Sequence, residues 1–125
     1  MSLDGSAKQR ITNNDASDGD AAWSPDGTQI VFVSDRDGNQ EIYLMNADGN
    51  GVSKVTNDSG ADFDSSWSPD GSTIAFASNR NGSTDIYAIN LDGTGIMRLT
   101  LNESTEEVPS WKASGFQLVF LSHRD

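Results

Sequence analysis

The chain has 125 residues, room for one small domain and too few for two ordinary ones, with 34% hydrophobic residues and 12 glycines to build a modest core. Nineteen acids against 8 basic residues give a formal net charge of -11, which argues against nucleic acid and anionic membranes, since phosphate recognition needs clustered Lys and Arg. The chain has no cysteine, which rules out disulfides and thiolate metal sites; no apolar run approaches a membrane span, and Met1 to Ser6 lack the basic and apolar stretches of a signal peptide.

In chain order the predicted elements recur with a step of 44 residues. Trp23, Trp67 and Trp111 keep that step, as do Phe32, Phe76 and Phe120, and Arg36, Arg80 and Arg124. Residues 8–12 read as a strand whose copies are 52–56 and 96–100. A strand at 21–24, repeated at 65–68 and 109–112, leads into Ser24-Pro25-Asp26-Gly27, a turn repeated at Ser68-Pro69-Asp70-Gly71. A second strand spans 29–34, 73–78 and 117–122; its centre, Ile30-Val31-Phe32-Val33, is apolar on both faces and therefore lies between two layers. Asp37-Gly38 and Asn81-Gly82 mark hairpins into a third strand at 41–46 and 85–90, and Asp48-Gly49 and Asp92-Gly93 turn the chain once more.

Four antiparallel strands per unit, apolar on both faces, describe an all-β propeller blade. The run Ala22-Trp23-Ser24-Pro25-Asp26-Gly27, with Ile30-Val31-Phe32, Ser34-Asp35-Arg36-Asp37-Gly38, Ile42-Tyr43 and Asp48-Gly49, resembles the WD-like repeat of TolB-type β-propellers. In the third unit Lys112-Ala113-Ser114-Gly115 departs from that pattern. The resemblance implies a non-enzymatic scaffold for protein or peptide binding, and a periplasmic or extracellular setting. The alternative is an accessory propeller, or a fragment of one, from a peptidase of the prolyl-oligopeptidase-like or tricorn-like type, without its catalytic domain.

Residues 1–125 form one repeat domain: 3–12 hold the fourth strand of an incomplete blade, 21–56 and 65–100 two complete blades, and 109–122 the first two strands of another. The repeat falls nine residues short of three full units; the gap matches 38–46, a third strand and its turn. Propellers close with roughly four to eight blades, so three units either belong to a larger propeller or close by homo-oligomerisation. Assembly is the expectation, most simply a dimer with six blades and an irregular seam.

The only histidine, His123, falls in a turn, and no nucleophile elbow, zinc-binding helix or phosphate loop is present, so no catalytic residues are assigned. No carboxylate has an apolar setting that would raise its pKa. The connections into each first strand carry Asp18 and Asp20, Asp62 and Asp64, then Glu106 and Glu107. Asp18, Asp62 and Glu106 share one repeat position. In a closed ring Asp18, Asp20, Asp62, Asp64 and Glu106 would crowd the channel mouth and attract a basic peptide, or Asp18, Asp62 and Glu106 a Ca2+ ion at the axis. Solvated loop acids, with no cofactor, are the plainer expectation. The arginines are expected to pair with nearby acids, and the tryptophans to pack between blades.

Overall fold

The computed structural model describes residues 11–101, 105–112 and 117–122. Residues 3–10 of the expected first segment, Glu103, the Ala113-Ser114-Gly115 turn, His123 and Arg124 lie outside them. Ten strands follow one another: β1 Asp18–Trp23, β2 Gln29–Ser34, β3 Glu41–Asn46, β4 Ser53–Lys54, β5 Asp62–Trp67, β6 Thr73–Ser78, β7 Asp85–Asn90, β8 Met97–Arg98, β9 Glu106–Trp111 and β10 Leu118–Ser122. β1 to β4 form one antiparallel sheet in chain order, β5 to β8 a second, and β9 pairs with β10. These are two complete propeller blades and the inner half of a third. No helix among the described residues is long and apolar enough to cross a membrane.

β2, β3, β6 and β7 occupy the residues expected from their apolar runs, and β2 and β6 are buried throughout their centres. β1 and β5 differ. Each begins three residues before the expected start, because a β-bulge lets two residues of the inner strand face one of its neighbour. The bulge carries the ladder back to Asp18 and Asp62, which pair with Ser34 and Ser78, so these acids open strands instead of lying in loops. The fourth strands keep only two ladder residues each, extended by Val55 N–H to the Ile42 carbonyl at 2.8 Å and Leu99 N–H to the Ile86 carbonyl at 2.7 Å. They are the outer edges, exposed and without a neighbour to lengthen the pairing.

The blades stack face to face. Val31, Val33, Ile42, Leu44 and Val55 of the first blade meet Trp67, Ile74, Phe76, Tyr87 and Ile89 of the second in one core. The other face of the first blade, Ile30, Phe32, Tyr43 and Met45, packs against Ile11. Two glycines record how closely successive units approach. A Cβ on Gly93 would stand 2.8 Å from the Val55 carbonyl oxygen, and one on Gly49 would stand 2.5 Å from that of Ile11, one repeat earlier. Ile11 therefore sits against the first blade as Val55 sits against the second. β1 touches β5 and β5 touches β9, whereas β4 and β8 make no contact, so the first strands converge toward the axis and the fourth strands fan outward.

Trp67 packs between blades as expected, its Nε1–H donating to the Ala22 carbonyl at 3.1 Å. Trp23, at the same repeat position, does not: 60% of it is exposed, because no strand among the described residues stands on its side of β1.

Candidate functional site

The charged residues of the repeat gather where β1 and β5 begin and β2 and β6 end. Asp62 is fully buried, and its backbone N–H donates across the blade boundary to the Gln40 carbonyl at 2.8 Å. Arg80 reaches back from the end of β6 and donates through Nη2 to both Asp62 oxygens, at 3.0 and 2.9 Å. The same Nη2 lies 2.6 Å from Asp58 Oδ2, and Arg80 Nε donates to Ser78 Oγ at 2.9 Å. The guanidinium lies over Phe76 and Tyr87, 5.4 and 4.8 Å from their ring centroids. The first blade repeats this with Arg36, which donates to Asp18 Oδ1 at 3.2 Å and to Ser34 Oγ at 2.9 Å and lies over Phe32 and Tyr43. Glu106 is fully buried and accepts from Ser122 Oγ at 2.9 Å. The expected pairing of arginines with acids is present at Arg36 and Arg80; Arg124 lies outside the described residues.

Glu41, from the preceding blade, completes the node. It is fully buried at the start of β3, accepts from Thr56 Oγ1 at 2.6 Å and from the Asp58 N–H at 3.1 Å, and lies 3.5 Å from Lys54 Nζ. Asp85 repeats the arrangement with Thr100 Oγ1 at 3.0 Å and Arg98 Nη2 at 2.5 Å. Sequence reasoning assigned Glu41 and Asp85 no role. Their signal was available, an acid at one repeat position followed 15 residues later by Thr56 and Thr100. A lone acid between polar turn residues reads as solvated until the blade beside it is known.

Neighbouring blades also set the protonation of equivalent carboxylates. Desolvation pushes Asp62 up to about 6, outweighing the hydrogen bonds from Ser78 and Thr56 and the charge of Arg80. This corrects the expectation that no carboxylate has such a setting. Burial also acts on Asp18, but bonds from Ser34, Asn14, Arg36 and Thr12 together hold it below the usual carboxylate range. Glu41, Asp58 and Asp62 each offer an oxygen within 4.8 Å of the others, the one grouping among the described residues with metal-like spacing. Arg80 and Lys54 already balance that charge. The expected set of Asp18, Asp62 and Glu106 is split between three blades, each member bonded within its own sheet.

Asp20 and Asp64 occupy a different place. Both stand in the bulges of the inner strands, with left-handed backbone at φ 50° and 52°. Asp tolerates that conformation better than most side chains. Asp20 is exposed and Asp64 half-buried. At the opposite end of the blades, a cleft of about 320 Å3 lies between the two proline turns, lined by Pro25, Asp26, Trp67, Pro69 and Asp70. Its acids are engaged in their own turns: Asp70 Oδ1 accepts from Ser68 and Ser72, bonds that hold its carboxyl down at about 2.

Comparison with known proteins follows the same repeat. A protein of Agrobacterium tumefaciens assigned as TolB is 31% identical, with a TM-score of 0.80 over 90% of this chain and 40% of its own. TolB of Acinetobacter baumannii is 33% identical, with a TM-score of 0.85 over 98% of this chain and 30% of its own. The chain thus spans less than half the length of either. A puromycin hydrolase shares the fold at 19% identity, with a TM-score of 0.67 over 82% of this chain and 18% of its own. The family model described as the TolB beta propeller domain matches residues 1–125. With that match and the two TolB likenesses, the chain belongs to the TolB beta propeller domain family.

Proposed function

We propose that this chain is a non-catalytic propeller segment that recognises a protein or peptide, and that the aspartates of its inner strands meet a basic segment of that partner. The observation that carries the reading is the repeated bulge: on both complete blades the strand nearest the axis breaks its ladder at an aspartate, Asp20 and Asp64. Strained backbone of this kind concentrates where proteins bind ligands. Asp18, Asp62 and Glu106 would support that rim from within, their carboxylates tied to Arg36, Arg80 and Ser122. A net charge of -11 favours a cationic partner over an anionic one. Likeness to TolB at 31% and 33% identity supports a scaffold role, whereas the hydrolase, at 19%, is a likeness of fold alone. The setting proposed by family is the periplasm.

The test is fluorescence anisotropy with a labelled Lys/Arg-rich peptide and an acidic peptide of equal length. The basic peptide binds, added salt weakens the complex, and the double variant Asp20→Asn, Asp64→Asn weakens it at least about 10-fold while the fold is retained. Equal binding of both peptides, or an unaffected double variant, overturns the reading. Turnover of a chromogenic peptide substrate by this chain would overturn its non-catalytic part.

A further inference from the structure

Trp23 and Trp67 end strands of equal length and enter the same turn, yet Trp67 is 8% exposed and Trp23 60%. Trp67 lies on the first blade, beside Val31 and Val33, and bonds the Ala22 carbonyl. At the other end of the chain Val119 and Leu121 are each 52% exposed. Their repeat equivalents are Val31 and Val33, which the second blade buries. The two exposed patches are therefore the two halves of an interface that the chain already makes once within itself, between its first and second blades.

We propose that a second copy of this chain covers them head to tail. The Val119 and Leu121 face of one copy receives the Trp23 face of the next. Trp23 Nε1–H donates to the Ser110 carbonyl of that second copy, since Ser110 on β9 holds the repeat position of Ala22 on β1. The occupant is a second copy because the two patches differ from each other and match in the sense set by the intrachain blade contact. A contact of this kind is heterologous and closes when the rotation permits. Two copies of three units reach six blades, within the range in which propellers close. Trp is also the side chain most enriched among residues that dominate interfaces. With -11 charges on each copy, moderate salt should favour assembly, the opposite of its effect on a basic peptide. The inference stands apart from the peptide-binding reading.

Sedimentation equilibrium of the 125-residue chain tests it, with Trp23→Ser and Leu121→Lys as variants. Both positions are exposed in the single chain, so circular dichroism and melting of each variant should match the parent. The parent should weigh twice 13.4 kDa, and each variant should weaken association by at least about 30-fold, the scale of a hot-spot loss. Mixing the two variants should restore dimers through a single intact interface, one variant supplying Leu121 and the other Trp23. A monomeric parent at 100 µM (about the upper range of such measurements) overturns the proposal, and covering faces then belong to other blades or other proteins. Loss of association in Trp23→Ser but not in Leu121→Lys, with no recovery on mixing, means a Trp23-on-Trp23 contact and overturns the head-to-tail geometry.

Discussion

Trp67→Ala and Trp23→Ala place one substitution in two environments that the local sequence does not distinguish. A tryptophan buries up to about 250 Å2. At 8% exposure nearly all of that area is withdrawn at Trp67, which at about 25 cal/mol per Å2 gives an upper bound near 5–6 kcal/mol. Subtracting what alanine retains leaves about 3–5 kcal/mol, the usual range for such core truncations. Loss of the Nε1–H bond also leaves the Ala22 carbonyl without that donor. At Trp23, 60% exposed, less than half of the area is withdrawn, and the same bookkeeping gives about 1–2 kcal/mol. The assay is urea unfolding followed by circular dichroism, at submicromolar concentration so that copies stay apart. Trp67→Ala should cost at least about 2 kcal/mol more than Trp23→Ala. Equal costs would refute the claim that the first blade, and not the tryptophan's own turn, determines its contribution.

Two further perturbations probe the blade boundary. Because the folded pKa of Asp62 is raised to about 6 from 3.8, its contribution to stability is present below about pH 4 and is lost as pH rises through 6. Melting temperature from pH 4.5 to 7 should therefore fall less steeply in Asp62→Asn than in the parent, and an unchanged slope contradicts the assignment. The carboxylates held low by their turns, Asp26, Asp48, Asp70 and Asp92 among them, act in the opposite sense and in a lower window, losing their contribution as pH falls below about 4. Gly93→Ala and Gly82→Ala share a left-handed backbone, but only at Gly93 would the new Cβ meet the Val55 carbonyl oxygen, at 2.8 Å. Gly93→Ala should lower the urea midpoint clearly more than Gly82→Ala, which carries only the backbone strain of about 1–3 kcal/mol; equal shifts would deny the close approach of successive blades.

The parts of the fold legible in the sequence are those whose burial is decided within one strand. Ile30-Val31-Phe32-Val33 and Ile42-Tyr43-Leu44-Met45 are apolar on both faces and lie in β2 and β3 as expected. β1 was harder to delimit because Asp18-Gly19-Asp20-Ala21 has neither an apolar run nor alternation, and its bulge shifts the pairing by one residue. The site was legible in position and not in state. Asp18 and Asp62 recur with Arg36 and Arg80, so a pairing could be expected, but the burial that raises Asp62 comes from Glu41, Thr56 and Asp58 of the unit before it. Trp23 and Trp67 make the same point for packing: one local sequence has two exposures because a blade is present on one side of Trp67 and not of Trp23.

The functional claim is tested most directly by titrating a Lys/Arg-rich peptide into the isotopically labelled chain and following backbone amide resonances. The account predicts that shifts concentrate at 18–22 and 62–66, the bulged inner strands, and that they weaken together in Asp20→Asn, Asp64→Asn. Shifts confined to the proline turns at 24–27 and 68–71, at the opposite end of the blades, would contradict it.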